Sequence, residues 1–194
     1  YKVISLTLLL LAANSVSAQR YMRVWQKGES SRMAMTDILY SQGGSLITVG
    51  DSAYATADVD SITMVRTITV DFKDNKATVN LNNAPGVTYT AEGGHVVINN
   101  TNATEEMEFV LSGTSNDASL TYNGVYKCKF HLNNLNLTST KGAALDIQCG
   151  KRIDVFLMDG TTNSLTDCAG GLQKAAFYCK GHMEVAGSGS LTVA

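Results

Sequence analysis

The sequence predicts an all-β solenoid preceded by a short β-rich leader. Three observations carry this: apolar and polar residues alternate in short runs, glycine and asparagine punctuate those runs, and a strand–corner–strand pattern returns at a coarse period. The chain has 194 residues, with 17 Gly and one Pro. Hydrophobic residues make up 44% and charged residues only 16%, which is too apolar and too weakly charged for a chain that stays disordered. The formal charge of -2 offers no broad basic face, so nucleic acid is excluded as a default partner.

Taken in order, the first element is an export signal. Lys2 precedes the apolar run VISLTLLLLAA (3–13), which is too short to span a bilayer, and Val16-Ser17-Ala18 supplies small residues for cleavage. Residues 1–18 are read as a secretory signal peptide. The protein is expected to be secreted, to periplasm or cell surface, with no membrane span after cleavage. Residues 19–66 follow as a β-rich leader or cap, with YMRVWQ, a KGES turn, SRMAM, the glycine-bearing SQGGS loop and ADVDSITM. From Thr67 the strands come steadily: TITVDF, ATVNL, VTYT, HVVIN, MEFVLSG, SLTY, YKCKFHL, LNLTS, AALDIQ, RIDVFLM, NSLTD, AAFYC, MEVAG and SLTV. No stretch there has a helical period. Residues 67–194 are expected to form one domain, incomplete at its C-terminal end because the chain stops within a strand pattern.

The repeat supports a solenoid. FHLNNLNLTSTKGAALDIQCG lays out strand, corner, strand, glycine turn, strand; VFLMDGTTNSLTD with KAAFYCKG restates it, and MEVAGSGSLTV begins it again. Leu135 and Leu165 are 30 residues apart, and Leu165 and Leu191 are 26 apart. Each such unit buries its inward face against its neighbours. Asn133-Asn134, Asp159-Gly160 and Gly187-Ser188-Gly189 suit corners that need restricted backbone. At the central corner, Thr161, Thr162 and Asn163 are placed to satisfy backbone groups, which makes that polar run structural.

Three of the four cysteines, Cys128, Cys149 and Cys179, fall in step with apolar neighbours and read as core thiols. Four cysteines allow three pairings, of which Cys168 with Cys179 is the most local. No zinc-spaced Cys/His cluster, GxSxG elbow, HExxH or phosphate-cradling loop occurs.

VLSGTSNDASL, FHLNNLNLTSTKGAALDIQCGKRIDVFLMDGTTNSLTD and HMEVAGSGSLTV resemble the successive blocks of a secreted bacterial carbohydrate-binding domain family. The resemblance spans about Thr67 to Ala194 and is most specific over Gly142 to Asp167. It implies a right-handed parallel β-helix that binds acidic polysaccharide of the polygalacturonate type and carries calcium. Asn134, Asp117-Ala118 and Cys168 stand where the family usually has glycine.

Uronate recognition calls for basic groups beside an aromatic platform. Tyr126, Lys127, Lys129 and His131 precede or oppose Cys128, Phe130 and Leu132, while Lys151, Arg152 and Lys180 sit near strand ends, where stacking gathers them into a basic strip. These seven are the candidate ligand-binding residues. Calcium needs several oxygen donors, and Asp146, Asp154, Asp159 and Asp167 are the candidates, although no calcium-loop repeat occurs. The expected function is a non-catalytic carbohydrate-binding protein for uronate-type polysaccharide, assisted by calcium. One alternative is a structural or adhesive cell-surface solenoid. A second is a pectin-cleaving enzyme, for which paired carboxylates or a poised base are required.

Overall fold

The computed structural model describes residues 21–27, 29–34, 38–41 and 43–194, so the predicted signal peptide lies outside the described residues. Six strands come first: β1 (Tyr21–Gln26), β2 (Glu29–Ala34), β3 (Ile38–Tyr40), β4 (Leu46–Val49), β5 (Ser52–Ala55) and β6 (Ser61–Val65). They make two antiparallel three-stranded sheets, ordered β2-β1-β6 and β3-β4-β5. Met22, Val24, Ile47 and Val49 pack between them as a small core.

Thirteen strands follow. They are β7 (Thr67–Lys73), β8 (Lys76–Asn80), β9 (Val87–Glu92), β10 (Gly94–Asn100), β11 (Met107–Ser115), β12 (Ala118–Gly124), β13 (Cys128–Thr138), β14 (Leu145–Gln148), β15 (Ile153–Leu157), β16 (Thr162–Thr166), β17 (Phe177–Cys179), β18 (Met183–Gly187) and β19 (Ser190–Val193). A five-stranded sheet runs β17-β14-β12-β10-β9, and an eight-stranded sheet runs β18-β15-β13-β11-β7-β8, with β16 pairing β13 and β19. No helix among the described residues is long and apolar enough to cross a membrane.

The predicted right-handed parallel β-helix is corrected by this topology. The protein is all-β, but its described residues are organised as four sheets, two purely antiparallel and two mixed. Local turn chemistry is the physical reason. Asp74 and Asn75 both adopt positive φ (50° and 57°), the two-residue geometry that folds β8 straight back on β7. Gly93 at φ 61° does the same between β9 and β10. Parallel pairing joins the remaining strands of both larger sheets, as in β11 with β13 and β10 with β12. The leucine spacing is corrected too, because Leu137 pairs with Leu165 and Leu165 with Val193.

The inward faces of the two larger sheets meet in one core. Burial alternates strictly along β10 and along the first half of β13, as period-2 side-chain placement requires. Phe109 stacks on Phe130 at 5.0 Å, and Tyr122 meets both rings edge-on at 5.0 and 5.3 Å. Asn134, at φ 53°, is the extra residue of a bulge in β13, since Ser112 pairs with Asn133 and Gly113 with Leu135. Asparagine thus fills a corner where the resembling family has glycine, because its short polar side chain tolerates the left-handed region. Gly113 itself is irreplaceable: a Cβ there would lie 2.0 Å from the Phe72 carbonyl oxygen.

All four cysteines are free. Burial pushes the Cys128 thiol far above its ordinary range, and the thiolate is the reactive form. In the native protein, Cys128 and Cys149 are therefore expected to resist a water-soluble disulfide reagent, while half-buried Cys168 reacts. Mass mapping of the labelled peptides checks this, and labelling of Cys128 before unfolding would contradict it.

Candidate functional site

The outward face of the eight-stranded sheet is a ladder of opposite charges. Glu108, Lys129, Asp154 and Glu184 occupy one row across β11, β13, β15 and β18. Lys129 Nζ lies 3.5 Å from Glu106, and Lys127 Nζ 3.8 Å from the same carboxylate. Arg152 bonds Asp154 at 2.9 Å and Glu184 at 2.6 Å. The Asp154 hydrogen bond, with both carboxylates beside it, holds the Arg152 guanidinium protonated above its ordinary range. One pleat further on, His131 stacks on Phe156 with ring centroids 5.2 Å apart.

The expected bare basic strip does not form. Tyr126, Lys127, Lys129, His131 and Arg152 share one region, but each of the four basic side chains has a carboxylate beside it. Lys151 and Lys180 are exposed and make no ion pair with a described residue. Lys180 follows β17, on the five-stranded sheet, away from the others.

The four candidate calcium ligands also separate. Asp146 points outward from β14 and accepts from the Gln148 amide at 2.7 Å. Asp154 belongs to the other sheet and is held by Arg152. Asp159 sits in a turn and accepts from the Ser188 hydroxyl, and Asp167 follows β16. They do not fit a shared calcium ion, and no cluster of three or more metal-ligating side chains exists among the described residues.

What the structure does assemble is a cleft of about 340 Å³ between β1 and the segment 104–108. Alternation along β1 buries Met22 and Val24 and so turns Arg23 and Trp25 to the opposite face, into the cleft. Tyr126 and Lys127, at the entry to β13, form the facing wall. Asn102 shapes the third side: its side-chain oxygen accepts from the Thr104 and Glu105 N–H groups at 2.9 and 2.8 Å, fixing the turn that presents Glu105.

Charges in the cleft come in pairs. Arg66 Nε is 3.5 Å from Glu105, and Arg23 Nη2 is 2.5 Å from Glu108. The Glu108 side chain is only 2% exposed, and its second oxygen lies 3.5 Å from His131 Nε2. That carboxylate ties β1 to the eight-stranded sheet, since a buried charge needs its partners in place. Of the seven expected ligand-binding residues, the cleft uses Tyr126 and Lys127. Arg23, Trp25, Arg66 and Glu105 went unselected, although the lone tryptophan in an alternating strand, opposite Met22 and Val24, was a usable signal.

An aromatic-flanked cleft with paired donors and acceptors offers the ring faces and hydrogen-bonding groups that a polyhydroxylated ligand requires. Residues 92–194 match the family model described as carbohydrate-binding domain-containing protein, and the chain belongs to that family. A solved structure of a polysaccharide lyase-like protein from C. thermocellum, a gadolinium derivative, is similar in fold: TM-score 0.50, 23% identity, covering 64% of this chain and 51% of that one. The chain thus spans about half the length of that protein. No curated protein matches the chain.

Proposed function

We propose that the protein is a secreted carbohydrate-binding protein that holds polysaccharide without cleaving its glycosidic bonds, with one sugar unit seated between Trp25 and Tyr126. The carrying observation is the charge-balanced aromatic cleft. An aromatic face packs against the apolar face of a sugar ring, while paired carboxylate and guanidinium groups accept from and donate to its hydroxyls. A balanced set of charges also keeps a neutral hydroxyl-rich ligand competitive with water. The export part of the proposal rests on the signal-peptide pattern of residues 1–18.

Recognition of an acidic, uronate-type polysaccharide is a second reading, favoured by Lys151 and Lys180, which are exposed and make no ion pair with a described residue. Calcium enters only as a condition of the test, because the four aspartates do not converge on one ion.

Calorimetric titration with polygalacturonate and with a neutral glucan, each with calcium and again with chelator, distinguishes these readings. Trp25→Ala is expected to weaken binding of the favoured polysaccharide by about tenfold or more, the cost of losing a central aromatic anchor. Unchanged affinity in that variant would remove the site from the cleft. Release of reducing or unsaturated ends in the same mixture would overturn the binding-only role, and absence of heat with every glycan would favour a structural or adhesive protein.

A further inference from the structure

A second constellation lies on the outer face of the five-stranded sheet and shares no lining residue with the Trp25–Tyr126 cleft. Parallel pairing of β10 with β12 sets His95 directly beside Ser119. Its Nδ1 is 2.8 Å from Ser119 Oγ, and its Nε2 is 3.0 Å from Asp117 Oδ1. The Thr140 hydroxyl donates to the same Asp117 oxygen, and that bond is the main reason the Asp117 carboxyl titrates below its usual range. An ionised Asp117 draws the ring proton to Nε2. The Nδ1 lone pair then faces the serine hydroxyl.

We propose that Ser119, His95 and Asp117 form a nucleophilic site that hydrolyses O-acyl esters, with acyl-substituted saccharides as its substrate class. Nucleophile, base and orienting carboxylate stand in hydrogen-bonded sequence, the relationship that activates a serine, with the two ring nitrogens exchanged relative to the serine proteases. Ser119 and His95 both line a cavity of about 390 Å³, a volume suited to one substituted sugar unit. Gln173 and Lys141 line it as well, the Lys141 ammonium pairing with Glu92 at 3.3 Å and keeping further N–H donors, and both bring N–H groups for the carbonyl oxygen of an ester.

The reaction balances as ester plus water giving alcohol plus carboxylic acid. Ser119 Oγ bonds to the acyl carbon as its proton passes to His95 Nδ1, and the sugar oxygen leaves with that proton. Water, deprotonated by the same nitrogen, then attacks the acyl-serine, releases the acid and restores the hydroxyl. Glycosidic bonds are untouched, so this activity adds to the binding role. Only the saccharide half of the substrate rests on that role.

The test is hydrolysis of 4-nitrophenyl acetate by the purified chain, together with labelling by a fluorophosphonate and mass mapping of the adduct. Turnover above buffer is expected, with the adduct on Ser119. Ser119→Ala should abolish both, and Asp117→Asn should slow turnover by about 10²- to 10⁴-fold, each with unchanged circular dichroism. A wild-type rate no greater than that of Ser119→Ala, or an adduct on another residue, would overturn the site. Aryl ester turnover without acetate release from an acetylated polysaccharide would overturn the saccharide assignment alone.

Discussion

Phe109→Ala is expected to destabilise the protein by about 3–5 kcal/mol, the range for deleting a buried aromatic ring. Phe109 is fully buried, stacks on Phe130 within the eight-stranded sheet, and meets Tyr122 of the five-stranded sheet at its edge. Its ring is therefore where the inner faces of two sheets interlock. Neighbouring rings belong to strands pinned by long parallel ladders to other strands, so the cavity will collapse only in part. In thermal unfolding the loss should appear as a drop of roughly 10 °C in midpoint for a chain of this size. Phe109→Leu, which refills much of the space, should recover most of it. A drop of a degree or two for the alanine variant would show that the two sheets do not share one cooperative core.

Asn163→Ala is expected to cost about 1–3 kcal/mol, from hydrogen-bond loss and not from lost apolar area. The side chain is completely buried. Its oxygen accepts from the Leu135 N–H at 2.9 Å, and its amide donates to the Ser190 carbonyl at 3.0 Å and to Thr161 Oγ1 at 3.2 Å. One residue thus ties β13, β16 and β19 together at a corner where the backbone ladder is broken. Alanine leaves the buried Leu135 N–H without that partner, which costs about 1–3 kcal/mol, whereas the Ser190 carbonyl belongs to an exposed residue and can turn to water. Chemical denaturation of the variant measures the total. Asn163→Asp sharpens the assignment, because it keeps the acceptor, loses both donor bonds and resists ionisation when buried. Its deficit relative to the parent should shrink as pH falls. A deficit that does not change with pH would mean the site is open to solvent.

The same residue shows how far local sequence reaches. The run TTNSLTD already reads as a polar corner that satisfies backbone groups, because small polar side chains in such a run have few other uses. The three cysteines in step with Phe130, Ile147 and Phe177 read as core thiols for the same reason: period-2 alternation fixes which side of a strand a residue occupies before any partner is known. Two hairpins were less visible. Asp74-Asn75 between TITVDF and ATVNL is a two-residue turn signal, yet the coarse repeat drew the expectation toward uniform parallel stacking.

Site residues were legible only where facing direction was enough. Tyr126 and Lys127 were selected because they flank an alternating strand, and both line the cleft. The expected basic strip failed because sequence periodicity gives the face of Lys129 or Arg152 but not what stands opposite, and there Glu106, Asp154 and Glu184 supply the countercharges. The four aspartates separate for a similar reason, since nearness in sequence does not fix which sheet or turn carries each of them.

By itself, the sequence determined an all-β chain of short alternating strands, the inward positions of its core and the polar character of its corners, because these follow from side-chain periodicity and local backbone preference. Tertiary structure alone decided which strands pair, that the described strands form four sheets, that Trp25 and Tyr126 line one cleft, that Arg23 meets Glu108, and that His95 stands between Ser119 and Asp117. Those residues lie 22 to 101 positions apart, and strand register and direction, which no local pattern encodes, bring them together.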